Sequence, residues 1–547
     1  MALLLLSALL LFPVLTGWGA LAEKLTRPFI TGTAGQAFTG IMTISILWVI
    51  TAFFLPLSVF TEIPVIIVGL FFFFRNKKYK HLVQHLSKEY RIFSFALGIL
   101  LFCASFYPYV LDHFGYYVPT IRWLTEYGLV KGVSNLDLTL GQMSVWHLFQ
   151  AGFSHLSDPF LRINAVLLMV YLIYIIENRT WIQLLFIPVL LLFSQSPSPD
   201  LPVIILSLVV TNEMLQRNTN TLLLFAFSAF IFAIKPTMIW VPAACFFYTL
   251  LIIRKNFSTL IPGAVIILLF FIKNIYTFGY PVFPVAIGDL GVSWKPDQEI
   301  LATSSRYAIL KTYDMQYSYE EIQRFSGWDF IKNWLFLKGI KSKINILFIL
   351  TLLFFTGYVI RKKDRMLTVI LISLLIKSFL VLIFSAQYRF FIDVFFVIAF
   401  MVLRNHCSRR ISVGGFSVMG IALAGILLFP GILQTYVPSF RLGSFMGKFE
   451  TTQWYRPSVY EYNRYRTYTV GNFRFNVSYR YPYSFDTPLP AFSESYLFDE
   501  VKTGIFPQMI DSGNIRKGFV CKKLDPAEQK QADTIMRRVR EAYRQTR

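Results

Sequence analysis

Charge is scarce in this chain. Only 15% of its 547 residues are Asp, Glu, Lys or Arg, against about a quarter in soluble domains, and no polar linker interrupts it before about residue 430. This argues against the string of soluble domains that its length would otherwise suggest. Cysteine is equally sparse. Cys103, Cys245, Cys407 and Cys521 have neither the spacing of a metal site nor that of a disulfide frame. The first apolar run, Met1 to Leu21, has no basic start and no clean small-x-small cleavage site, so it reads as an uncleaved first span rather than a secretory leader. No internal repeat is visible, which argues against transporter folds built on repeats.

What the chain has in abundance is apolar sequence: 55% of it is hydrophobic and 17% aromatic. About fourteen apolar runs recur, many near the roughly 20 residues needed to cross hydrocarbon. They lie at 2–20, 40–60, 62–74, 92–111, 160–177, 180–194, 201–214, 220–234, 237–253, 258–275, 344–360, 366–384, 390–403 and 414–430. The expected fold is an all-α integral membrane protein of about 12–14 transmembrane helices, with short interfacial helices on the outer face. Its expected parts are N-terminal helices (1–91), a core (92–275) with a first outer loop at 112–159, and an outer loop at 276–343. C-terminal helices (344–430) and a small extracytoplasmic domain or membrane-draped tail (431–547) complete it.

The net charge of +22 would suit nucleic acid if it were gathered on one surface. It is instead divided among short turns between apolar runs: Arg75 to Lys80, Arg254-Lys255, Arg361 to Arg365 and Arg404 to Arg410. Alternating the spans puts all four turns on one side, the positive-inside pattern of cytoplasmic loops. The expected partner is therefore a lipid bilayer crossed many times, not nucleic acid, with the C-terminus outside. Segments 112–159, 276–343, 385–389 and the tail fall on the outer side, together with most of the Asp, Glu, His, Gly and Pro that do not simply flank a span.

The first candidate chemistry is Asp112-His113-Phe114-Gly115-Tyr116-Tyr117, where a span meets the outer surface. A carboxylate there can take a proton from a hydroxyl nucleophile brought within about 3 Å. The alternative is an ordinary polar helix end with interfacial aromatics. Candidate cations on the same rim are Arg122, Lys235, Lys273 and Arg389, each able to contact a phosphate or simply to snorkel. For Arg389, an i,i+4 pair with Asp393 competes with a role in binding. Asn135, His147 and His155 are candidates for binding a polar substrate group or for orienting Asp112, although a lone histidine is more often structural. Glu213 reads as an ordinary flank, and Lys377 lies mid-span with its partner unspecified.

Beyond the acidic stretch, Gly128, Gly132 and Asn135 form a Gly-x-x-x-Gly-x-x-Asn pattern. Lys273-Asn274 precedes Gly279-Tyr280-Pro281-Val282-Phe283-Pro284, and Gln387-Tyr388-Arg389-Phe390 enters a late span. In these motifs, over roughly 92–430, the chain resembles a group of bacterial multi-spanning proteins that look like GT-C class membrane glycosyltransferases. Pro488-Leu489-Pro490 and Gly518-Phe519 are a weaker echo. The resemblance implies transfer of a sugar from a polyprenyl-phosphate donor to a glycan, lipid or protein acceptor, with inversion at the anomeric carbon. It implies Asp112 as general base, and His113, Tyr116, Tyr117, Arg122, Asn135, His147, Lys235, Lys273, Asn274 and Arg389 as substrate contacts. One departure is that His113 follows Asp112 where many such enzymes pair two acids. A divalent metal is therefore not supported, and no cofactor is expected. Two readings compete: an O-antigen-type polymerase, and a glycolipid or polysaccharide transporter or flippase, which would need charge near mid-membrane. A further alternative is a scaffold whose tail binds partners. The transferase reading requires Asp112 to converge with Arg389, Lys235 or Lys273.

Overall fold

In the computed structural model, which describes residues 1–431, 435, 448–462, 464–479 and 483–546, each of the fourteen apolar runs contains helix, although the helices end at Phe54 and Ala104 within the runs 40–60 and 92–111. The rest of the expected tail domain lies outside the described residues. Six helices are long and apolar enough to cross a membrane: Ala2–Leu25, Gly32–Phe54, Phe257–Phe278, Ile340–Lys362, Arg365–Phe384 and Arg409–Leu428. Six more apolar helices have 10–17 residues: Tyr90–Ala104, Ile163–Asn178, Trp181–Phe193, Thr221–Ile234, Pro236–Ile252 and Ile392–Leu403. At 1.5 Å per residue these cover only about 15–25 Å, short of a hydrocarbon core of roughly 30 Å. Ile163–Asn178 and Thr221–Ile234 are almost wholly buried in protein. A helix covered by protein in this way need not span the hydrocarbon by itself, because its ends do not face lipid.

Small residues set the closest helix contacts. A Cβ on Gly17 would sit 1.8 Å from the Gly69 carbonyl oxygen, and one on Gly40 would sit 1.9 Å from the Leu15 carbonyl oxygen. The first three helices therefore touch backbone to backbone, the kind of packing that holds apolar helices together where lipid offers no hydrophobic drive.

Polar contacts between distant segments fall into two sets. In the first, the Met1 amino group donates to the Gln453 carbonyl at 2.5 Å and Ser458 N to Ser105 O at 2.8 Å. Phe519 N donates to Lys131 O at 3.0 Å, and Arg516 to Phe54 O at 2.6 Å. In the second, Glu177 accepts from the Thr33 and Ala34 backbone N–H groups, both at 3.0 Å. Asn220 donates to Arg27 O at 2.6 Å, and Arg409 meets Glu89 at 2.5 Å. Helix Ala2–Leu25 runs from the first set to the second. The first set holds only segments that the alternation of spans puts on one side, and the second only segments from the other. Glu213 is no exposed flank: it is buried, and accepts from Asn218 at 2.7 Å.

Two expectations are corrected. The fold is mostly helical but not all-α, because the tail contains two small sheets. Strand β1 (Tyr465–Val470) pairs antiparallel with β2 (Phe473–Ser478), which pairs parallel with β3 (Ala491–Phe492). Strand β4 (Ile505–Met509) pairs antiparallel with β5 (Phe519–Lys523). Alternating phenylalanines drive this: Phe473 and Phe475 leave one face of β2 to pack with Phe492, Phe506 and Phe519. The short helices of 112–159 are present, but they do not lie open on a surface. Trp123 and Trp146, on helices Val118–Glu126 and Val145–Ala151, are buried, because the tail and the loop after residue 278 pack over this segment.

Candidate functional site

Asp112 stands where helix Tyr90–Ala104 has ended and the chain begins a new helix with one wide π turn, His113–Tyr117. Such turns re-aim side chains and often mark functional sites. Phe114 fixes the turn from below by packing on Phe485 of the tail, with Tyr460 and Tyr483 alongside. The Asp112 carboxylate is left one-third exposed and accepts from Arg389 Nη1 at 2.6 Å.

Arg389 lies in the short turn Tyr388–Phe390 that joins helices Arg365–Phe384 and Ile392–Leu403. Neighbouring segments hold this turn in place. Trp334 Nε1 donates to Ala386 O at 2.8 Å, and Lys341, paired with Asp314, lies over the Tyr388 ring. Lys235, at the end of helix Thr221–Ile234, donates to the Arg389 carbonyl at 3.3 Å, pairs with Asp200 and lies over Phe390. Asp200 opens helix Asp200–Leu215. Its other oxygen lies 3.4 Å from Ser198 Oγ, which in turn lies 3.4 Å from the Tyr117 hydroxyl. Deeper in the bundle, Lys377 and Asp393 pair in a closed site, with Trp240 Nε1 donating to the second Asp393 oxygen at 2.8 Å. Three acid–base pairs thus step inward from a half-open edge.

Electrostatics divide these groups by role. Burial alone would lower the pKa of the Arg389 guanidinium, but Asp112, Tyr116 and Asp200 more than offset that and raise it, so it stays charged. Burial, with Arg162 nearby, pushes the His113 pKa well below its ordinary value. Burial and Lys273 push His147 down to about 3. Both histidines are therefore neutral at physiological pH. Burial raises the Tyr116 and Tyr117 hydroxyls, and Asp112 and Asp200 raise them further, so both remain protonated donors. Lys311, near the end of helix Gln298–Thr312 and three residues before Asp314, has its pKa lowered by burial and by Arg389, with Asp112 opposing.

The residues expected to share a site separate into three groups. Asp112, Arg389, Lys235, Tyr116 and Tyr117 come together. His147 and Lys273 lie beneath them: the His147 ring is 5.0 Å from that of Tyr117, and buried Lys273 donates to the Met143 carbonyl. Lys273 is thus no rim cation. His113 is buried beside Phe114. The third group holds the architecture instead. Arg122 donates to Thr487 O at 2.6 Å and pairs with Glu126. Asn135 Nδ2 donates to Trp294 O at 2.9 Å and Phe519 O at 3.1 Å. Asn274 Nδ2 donates to Pro281 O at 2.7 Å. Arg122 and Asn135 thus tie the first outer segment to the tail, and Asn274 ties its helix to the loop that follows. Among the described residues, the ring of His155 takes no part in the cluster, and its backbone N–H donates to Glu62 at 3.1 Å.

Asp393 does not compete for Arg389: Lys377 takes it. Two members of the cluster escaped the reading of the sequence. Asp200 sits in Ser196-Pro197-Ser198-Pro199-Asp200, a polar break that the alternation of spans already puts beside 112, 235 and 389, so it was findable. Lys311 carries no such signal, being one of several lysines in a long loop. Among the described residues, no group of three or more His, Cys, Asp and Glu stands close enough to hold a metal ion.

No curated protein and no solved structure matches this chain. The model of one family, described as a domain of unknown function (DUF8201), matches residues 1–396, a stretch that includes Asp112, Asp200, Lys235, Lys311, Lys377, Arg389 and Asp393. The match spans well over half of the chain, and the protein belongs to the DUF8201 family.

Proposed function

We propose that the protein is a multi-pass glycosyltransferase of the GT-C kind in a bacterial plasma membrane. It transfers a sugar from a polyprenyl-phosphate donor to a glycan, lipid or protein acceptor on the outer face. The observation that carries this reading is the meeting of Asp112 with Arg389, backed by Lys235, at one edge of an apolar bundle. Asp112 takes the proton of the acceptor hydroxyl as its oxygen attacks the anomeric carbon. The bond from that carbon to the phosphate oxygen breaks, and the charge left on the lipid phosphate settles against Arg389, whose carbonyl Lys235 holds in place. A site on a bundle edge suits a donor whose chain stays in the bilayer. The four basic turns, all on the side opposite the tail, support an outward-facing site.

Asp112→Asn tests the proposal. It keeps size and polarity but removes the proton acceptor, so product should fall by about 100-fold or more while protein level and membrane insertion hold. Full product from this variant would remove Asp112 from the reaction. A second reading, a glycolipid transporter or flippase, has one observation in its favour: the Lys377–Asp393 pair is buried inside apolar helices, where ionisable groups often mark a transport path.

A further inference from the structure

The three acid–base pairs at this site are not alike. Lys377 and Asp393 are sealed, with side-chain exposures of 1% and 4%, and Asp393 has Trp240 as a second partner. Lys235 and Asp200 are nearly sealed, and Lys235 also holds the Arg389 carbonyl. Arg389 and Asp112 are each 33% exposed, and among the described residues each has the other as its only side-chain hydrogen-bond partner. A guanidinium has five N–H donors and a carboxylate about four acceptor sites, so most of this pair's capacity is unspent. The Arg389 Nε is itself buried without a partner. Lys311 feels the charge of both members of the pair and has no hydrogen bond or ion pair among the described residues. Asp314, three residues on, is tied through Lys341 to the Tyr388 ring, next to Arg389.

An open, half-satisfied pair with a free cation in its field is arranged for exchange. We infer that the Asp112–Arg389 pair is a latch that an incoming lipid-linked phosphate opens, the phosphate oxygens taking Arg389 and Lys311 together and releasing Asp112 to accept the hydroxyl proton. This rests on the transferase reading and adds an order of events to it. While Arg389 holds Asp112, a lone pair of the carboxylate is committed to a guanidinium N–H and the hydroxyl must compete for it. A phosphate is the better partner for Arg389, because it offers bidentate geometry, and its own charge repels the carboxylate. Asp112 is thus freed only when the donor is seated, which guards against proton abstraction at an empty site. The latch makes Asp112 and phosphate competitors for one arginine, so removing the Asp112 charge should tighten phosphate binding. A simple structural pair would give the opposite, because a lost partner loosens the site.

The test is binding of undecaprenyl monophosphate to the full-length protein in nanodiscs. Undecaprenol serves as the control for the chain, and inorganic phosphate as the control for the headgroup. The latch predicts that Asp112→Asn binds the lipid phosphate at least about fivefold tighter than wild type. Lys311→Gln should bind it about tenfold more weakly. Arg389→Gln should abolish the gain when combined with Asp112→Asn. Inorganic phosphate should compete, and undecaprenol should not bind comparably. If wild type binds the lipid phosphate but Asp112→Asn binds equally or less well, the latch is wrong and the transferase reading stands. Unchanged binding by Lys311→Gln overturns the shared phosphate site. If undecaprenol binds as well as its phosphate, or if neither wild type nor Asp112→Asn binds the phosphate, the latch falls together with the reading beneath it.

Discussion

Lys377 and Asp393 form an ion pair sealed between two apolar helices, with Trp240 donating to the carboxylate oxygen that Lys377 leaves free. Desolvating two charges is costly, and their attraction is repaid only by such close, fully bonded geometry. Truncating one partner leaves the other buried and uncompensated.

Lys377→Met alone or Asp393→Leu alone should therefore destabilise the protein by about 3–5 kcal/mol, read as a lower unfolding temperature in detergent and lower abundance in membranes. The double variant should recover most of the loss, since two apolar residues leave nothing unpaired. Under the transferase reading the recovered double variant keeps activity. A stable but inactive double variant would favour the transporter reading.

Asn135 joins three segments that lie far apart in sequence. It donates to Trp294 O and Phe519 O, and accepts from the Cys521 thiol at 3.1 Å. Asn135→Ala should cost about 1–3 kcal/mol, felt as looser docking of the tail. Limited proteolysis should then cut the tail faster, while the spans stay protected. An unchanged digestion rate would show that the strand contacts hold the tail without Asn135.

The same interface carries a pH dependence of definite sign. Burial raises the Asp137 carboxyl to about 7, against the two hydrogen bonds it accepts from Thr139. From helix Glu494–Thr503, Glu500 faces it; burial raises the pKa of Glu500, and Asp137 and Asp499 raise it further. Tyr496, raised in the same way, stays protonated. A folded pKa above the unfolded one, about 3.9, means that the docked tail keeps protons that the undocked tail has shed. The stabilisation is complete below about pH 4 and is lost as pH rises through about 7. Hydrogen exchange in β4 and β5 should accelerate over that window, and Asp137→Asn should flatten the profile. Exchange that slows as pH rises, after correction for its intrinsic rate, would contradict the assignment.

Gly17 is where the first and third helices meet. A methyl group there would lie 1.8 Å from the Gly69 carbonyl oxygen, far inside van der Waals contact, and the obstacle is backbone that cannot rotate away. Gly17→Ala should push the two helices apart and lower stability by about 1–3 kcal/mol. Gly98, where an added methyl group would meet no atom within 4 Å, is the control: Gly98→Ala, mid-helix, should be neutral or slightly stabilising. Equal unfolding temperatures for the two variants would refute this packing account.

The apolar helices and their order were legible in the amino-acid sequence. Each depends on residues that are neighbours along the chain: apolar runs, basic turns and the alternation of the spans between them. Asp112 and Arg389 were legible as members of one edge for the same reason. The local rule failed at the choice of partner. Asp393 lies four positions after Arg389, yet Arg389 pairs with Asp112, 277 positions away, and Asp393 turns inward to Lys377. Arg122, Asn135 and Asn274 look like a binding site in sequence, but each donates to carbonyls of the loops or tail, and Arg122 also pairs with Glu126. The small sheets of the tail, with strands of two to six residues, are likewise fixed by phenylalanines meeting from separate segments. Propensity and hydropathy act over one or two turns of chain, so the sequence by itself determines where helices form and in what order. Which charges meet, which are sealed and which stay open is decided by how the helices pack, and only the tertiary structure settles it.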